Sequence, residues 1–191
     1  MEDKEKIKLL QLARGSIKYY LENKNKAVPD VKSLNENFKK KQGCFVTLNI
    51  NSKLRGCIGN IMPQQPLYQA VIDNAVSAAC QDPRFPLLSL AELKRCDIEI
   101  SILSIPEVIE HTGPQQLLKK ITRGKDGIIL ELGSRKSTFL PQVWEKIPDK
   151  TAFMQQLCLK QRADKNAWQS PEAVVSRYNA EAFSEQELLQ N

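Results

Sequence analysis

Apolar residues recur at helical spacing at the start of the chain. Ile7, Leu10, Ala13, Ile17 and Leu21 mark one stripe over residues 3–23 and predict an amphipathic helix packed on a sheet. Ser33-Leu34-Asn35-Glu36 has the form of a capping box and predicts a short helix that Gly43 ends. The period then falls to two. Cys44, Val46, Leu48 and Ile50 alternate with Phe45, Thr47 and Asn49, and beyond a turn at Asn51-Ser52-Lys53 residues 54–59 return as the second strand of a hairpin. Pro66 opens a helix with the stripe Leu67, Ala70, Val71, Asn74, Ala75 and Ala78, which Asp82-Pro83 stops. Ser89-Leu90-Ala91-Glu92 is a second capping box, and over 97–105 Ile98, Ile100 and Ile102 point inward against Glu99, Ser101 and Leu103. A helix is expected over 115–121, a strand over 128–132, a loop over 133–137 leading into Thr138-Phe139-Leu140, a helix over 151–162 and one late strand over 174–183. Helices and hairpins in uneven order predict an α+β fold, a mixed, mainly antiparallel sheet with packed helices. Short loops and the absence of repeats predict one domain over residues 1–191.

The hexapeptide Leu54-Arg55-Gly56-Cys57-Ile58-Gly59 carries the most chemistry. In a regular strand Leu54 and Ile58 face one side, and Arg55, Cys57 and Gly59 face the other. The functional reading is a thiol beside a guanidinium that favours thiolate, with Gly59 leaving room for a ligand. The structural reading is a half-buried strand whose cysteine is a small hydrophobe and whose glycines mark a bulge.

The chain resembles the AMMECR family through this hexapeptide and through segments in the same order on either side. They are Gly43-Cys44-Phe45-Val46-Thr47-Leu48, Asp73-Asn74-Ala75-Val76-Ser77-Ala78-Ala79, Asp82-Pro83-Arg84-Phe85 and Thr138-Phe139-Leu140-Pro141-Gln142-Val143-Trp144. Cys80 departs from a more usual phenylalanine, and Gln161-Arg162 from an Ala-Gly helix ending. The resemblance implies a larger N-terminal part and a smaller subdomain embedded in or packed on it. It also implies membership of a three-part system in which an AMMECR-like protein accompanies a Memo-like protein and a radical SAM enzyme.

Further candidates surround the hexapeptide. Asp82 and Arg84 flank a proline at a helix end, either as a salt bridge fixing the turn or with Arg84 as an anion clamp. Arg135 offers a second positive group, or is a solvated loop residue. Glu99 shares the strand side opposite the isoleucines and so faces with Arg55 and Cys57, or faces solvent. Asn74 interrupts an apolar stripe and needs partners, so it is expected to brace a neighbouring strand or loop. Trp144 and Trp168 read as core or subdomain-packing residues. A dyad of Cys57 with the single histidine, His111, needs tertiary proximity, and an exposed loop histidine is the simpler reading.

Composition narrows the classes. The formal charge is +6, but basic residues are scattered among nearly as many acidic ones, and Lys39-Lys40-Lys41 lacks interleaved aromatics, so no specific nucleic-acid binding is expected. No stretch reaches the ~20 apolar residues of a membrane span. The charged N-terminus is followed by no apolar signal core. Five cysteines without a Cys-x-x-Cys pair indicate neither a disulfide framework nor a zinc cage and predict a reducing, cytoplasmic setting with no metal and no cofactor. Two functions remain. One is a cytosolic accessory or substrate-handling protein of the modification pathway that the resemblance implies. The other is a thiol-dependent enzyme using Cys57 on an anionic substrate that Arg55, Arg84 or Arg135 holds.

Overall fold

The structure, a computed structural model, describes residues 1–189. The elements run α1 (Asp3–Asn23), α2 (Glu36–Lys39), β1 (Cys44–Ile50), β2 (Lys53–Asn60), α3 (Leu67–Cys80), α4 (Leu90–Leu93) and β3 (Asp97–Leu103). They continue with β4 (Glu107–Val108), α5 (Pro114–Lys120), β5 (Gly127–Leu132), β6 (Arg135–Phe139), α6 (Lys150–Lys160), β7 (Val174–Tyr178), β8 (Ala180–Ser184) and α7 (Glu185–Leu189). The fold is α+β. Two compact units divide it, Met1–Leu103 with the C-terminal segment from Glu181, and Ser104–Ala180.

The first unit is built on a four-stranded sheet in the order β2-β1-β3-β8, with β1 antiparallel to both β2 and β3. The β1–β2 turn needs only Asn51 and Ser52, both at positive φ, the conformation whose twist matches a two-residue hairpin. One sheet face presents Val46, Leu48, Ile98 and Ile100, all fully buried. Against it lie Leu9, Leu10, Ala13 and Ile17 of α1 and Leu67, Ala70, Val71 and Ala75 of α3. Each fully buried leucine or isoleucine contributes about 1.5–3 kcal/mol relative to exposure. Close helix–strand approach fixes Gly56: a Cβ there would sit 2.2 Å from the Ala78 carbonyl oxygen of α3. Asn74 braces the strands as expected, its amide donating to the Cys44 carbonyl at 3.0 Å and to Asn60 Oδ1 at 2.8 Å.

A second tie was not visible in the sequence. Arg14 of α1 donates to both carboxylate oxygens of Glu185, at 2.6 and 2.5 Å, and to the carbonyls of Leu93 and Cys96. Glu185 also accepts from the Ile98 amide at 3.0 Å, so one part-buried ion pair joins α1, β3 and α7.

The second unit has its own sheet, β4-β7-β5-β6, with antiparallel pairings throughout. Its core holds Leu117, Ile128, Leu130, Phe153, Leu157 and Val175 together with both tryptophans. Trp144 stacks on Phe153 with ring centroids 3.6 Å apart, and its indole N–H donates to the Asp126 carbonyl at 2.7 Å.

Four local expectations are corrected. Asn35, not Ser33, caps α2, because its side chain accepts from the Asn37 amide. That helix stops at Lys39, before Gly43. The loop expected over 133–137 is only Gly133 and Ser134, with Gly133 at positive φ, and β6 begins at Arg135. The single late strand is two, β7 in the second unit's sheet and β8 in the first's, since Asn179 breaks the run.

Candidate functional site

The signature hexapeptide lies in β2, an edge strand of its sheet. Its register with β1 shifts once. Leu48 pairs with Gly56 but Asn49 with Leu54, which leaves Arg55 unpaired as the extra residue of a bulge. A bulge re-aims its side chain. Arg55 therefore does not share a clean strand face with Cys57, contrary to the simple alternation. Its Nε donates to Glu92 Oε1 at 2.9 Å and one terminal nitrogen to Oε2 at 3.3 Å, and its side chain is only 11% exposed. Glu92 is held in turn by the α4 capping box, accepting from the Ser89 amide and hydroxyl. The guanidinium and these bonds hold the Glu92 carboxyl down to about 2.

Cys57 sits beyond the bulge, where alternation resumes. Thr47 of β1 pairs with Cys57 on one side and Glu99 of β3 on the other, so the three side chains form a row on the sheet face opposite Val46 and Ile100. The Thr47 hydroxyl donates to the Cys57 sulfur at 3.3 Å. The backbones of Cys57 and Glu99 lie two strand spacings apart, roughly 10 Å, with Thr47 between them. Burial pushes the Cys57 thiol above the ordinary cysteine value. The Thr47 bond and the Arg84 charge pull it back less strongly, and Asp82 and Glu99 add to the rise. The expectation of a thiolate stabilised by Arg55 is thus reversed. Burial likewise raises Glu99, with Glu187 and Asp97 adding like charge.

The expected open space at Gly59 is filled. A Cβ there would lie 2.3 Å from the Phe45 ring, so this glycine admits a neighbouring aromatic, as Gly56 admits α3. Both are packing positions.

Asp82 and Arg84 close the strand edge. Asp82 Oδ2 accepts the Cys57 amide at 2.9 Å, and its carboxylate takes three bonds from Arg84: the backbone N–H at 3.1 Å, Nε at 2.9 Å and a terminal nitrogen at 2.6 Å. The same terminal nitrogen of Arg84 reaches the Cys57 carbonyl at 3.4 Å. The acid is buried, its side chain 2% exposed, whereas Arg84 is 54% exposed. Arg84 holds the Asp82 carboxyl far below the usual carboxylate range. Phe85 completes the cluster. The Arg55 guanidinium lies 5.9 Å and that of Arg84 5.4 Å from its ring centroid, within cation–π range. Arg55 Nη1 is buried without a hydrogen-bond partner among the described residues.

Arg135 belongs to the second unit, where its guanidinium donates to the Arg162 carbonyl at 3.0 Å. His111 is in that unit as well. Phe85, Thr47 and Glu92 are the site residues that sequence reasoning left unassigned. Glu92 was accounted for by a capping box, while Thr47 and Phe85 stood inside family-like segments with no role attached. All five cysteines are free, and among the described residues no group of three or more histidine, cysteine, aspartate or glutamate side chains is placed to hold a metal ion. No helix there is long and apolar enough to cross a membrane.

Residues 10–183 match the family model described as AMMECR1. The chain belongs to the AMMECR1 family. Among its AMMECR1 relatives is Protein MJ0810 of Methanocaldococcus jannaschii, 37% identical over 93% of this chain and 89% of the relative. Protein TK0174 of Thermococcus kodakarensis is also 37% identical, over the same shares. The fold is similar to the crystal structure of the uncharacterized protein PH0010 from Pyrococcus horikoshii, with TM-score 0.91 and 34% identity over 99% of this chain and 95% of that one.

Proposed function

We propose that this AMMECR1 chain is a binding component without thiol chemistry of its own. It handles a partner or anionic ligand at the Arg55–Phe85–Arg84 cluster along the edge of the signature strand. One observation carries this reading: two guanidiniums flank one aromatic ring, Arg84 half in solvent and Arg55 with a buried nitrogen that lacks an acceptor. Arg84, half in solvent, offers an anionic oxygen a charge-assisted donor beside the Phe85 ring. The radical SAM and Memo-like proteins that the family resemblance implies are the partners to try first, in a cytoplasmic modification pathway.

The state of Cys57 supports the binding role over the enzymatic one. Its thiol is raised by burial, it accepts a hydroxyl bond, and among the described residues no base is hydrogen-bonded to it. The thiol-enzyme reading keeps one supporting observation, the raised Glu99 carboxyl in the same row, which fits a proton acceptor acting through Thr47 or water.

Co-purification tests the proposal. The tagged chain should retain the partner protein, and Arg84→Ala should release it while Cys57→Ser does not. Retention by Arg84→Ala at the wild-type level removes the cluster from consideration.

A further inference from the structure

Away from the signature strand, the second unit contains a cleft of about 840 Å³ whose walls include Thr112, Gln116, Lys119, Thr151, Trp168 and Gln169. That volume is in the range of small-molecule sites, ~300–1,000 Å³. We propose that this cleft binds a small organic carboxylate with an apolar body, independently of the signature-strand cluster.

The polar lining offers donors at Gln116 and Lys119, and behind them the Trp168 indole N–H is sealed from solvent. Trp168 is 2% exposed, yet its indole N–H has no partner among the described residues. A buried tryptophan N–H nearly always finds an acceptor, and Trp144 in the same core does so at Asp126. The carboxamide of Gln116 is oriented by its oxygen, which accepts from the Thr112 amide at 2.8 Å and hydroxyl at 3.4 Å. Both of its N–H bonds remain to donate. Lys119 supplies the charge. The nearby amines of Lys120 and Lys150 are spent on the carbonyls of Glu110 and Leu118, but no such bond engages Lys119. Among the described residues no carboxylate lines the cleft, so an entering anion meets a cation and neutral donors. Leu118, Pro114 and the Trp168 ring give the wall an apolar share, which suits a ligand with a hydrocarbon body better than inorganic phosphate.

Two tryptophans make the test self-controlled. In nitrogen-15 spectra of the full chain, sodium benzoate should move the Trp168 indole resonance saturably, with Kd below ~10 mM, and leave that of Trp144 in place. Trp168→Phe assigns the peak. Benzamide, the neutral analogue, should bind at least tenfold more weakly, and Lys119→Glu should weaken benzoate at least tenfold with the Trp144 peak unmoved. Equal response to benzoate and benzamide, undiminished binding by Lys119→Glu, or no saturable shift of Trp168 each overturns the proposal.

Discussion

The Cys57 amide donates to Asp82 Oδ2 at 2.9 Å, so the middle of an edge strand is closed by a side chain and not by another strand. Arg84 completes the closure at the Cys57 carbonyl. Asp82→Ala leaves that amide without its acceptor and Arg84 without its counter-charge. The expected loss is about 1–3 kcal/mol of stability, read as a lower urea midpoint. A midpoint unchanged from wild type means that the clip contributes nothing.

Acid should find the same weak point. Asp82 lies below the usual carboxylate range and Glu92 falls to about 2, both held down first by an arginine. A lowered folded pKa contributes stability that is present above the unfolded value, near 4, and lost as pH falls through the folded one. Stability should therefore decline below about pH 4, and Asp82→Ala should flatten the decline. Glu99 acts with the opposite sign: its raised pKa is a penalty that disappears as pH falls through the folded value. Melts from pH 7 to pH 2 measure the balance.

Cys57 should alkylate more slowly at neutral pH than a small exposed thiol, because burial disfavours its thiolate. Thr47→Val removes a bond that stabilises the thiolate and should slow labelling further. Glu99→Gln removes a nearby negative charge and should speed it. Mass spectrometry of iodoacetamide adducts against pH reads all three, and rapid labelling of wild-type Cys57 at pH 7 contradicts the packing described.

Gly56→Ala should be among the costlier single-methyl changes in the first unit. The new Cβ meets the Ala78 carbonyl, backbone that cannot rotate aside. Overpacking of this kind costs about 1–3 kcal/mol. Ile100→Ala, on the fully buried side of β3, should cost about 2–5 kcal/mol by leaving a cavity. A Gly56→Ala melting temperature within error of wild type means that β2 and α3 separate more easily than their spacing indicates.

What the sequence made legible was whatever depends on local period. The isoleucines of β3, the stripe of α3 and the need of Asn74 for partners follow from spacing alone, whereas the row of Cys57 and Glu99, open in the sequence, needed the strand register. Arg55 was misplaced because a bulge is a property of paired strands, invisible in one of them. The space at Gly59 was misjudged because Phe45, which fills it, comes from the neighbouring strand. The Arg14–Glu185 tie spans most of the chain and left no local trace. Arg162 adopts a left-handed conformation with φ 57° just past α6, the helix ending that a glycine takes without strain.

The most direct test of the binding role is calorimetric titration of the Memo-like and radical SAM proteins into the wild-type chain, Arg84→Lys and Cys57→Ser. Lysine keeps a cation opposite Asp82 but lacks the planar fork. The expected result is binding by wild type and Cys57→Ser alike, with Arg84→Lys weakened about tenfold, or 1.4 kcal/mol. Loss of binding in Cys57→Ser with Arg84→Lys unaffected would place the function at the thiol and contradict the account.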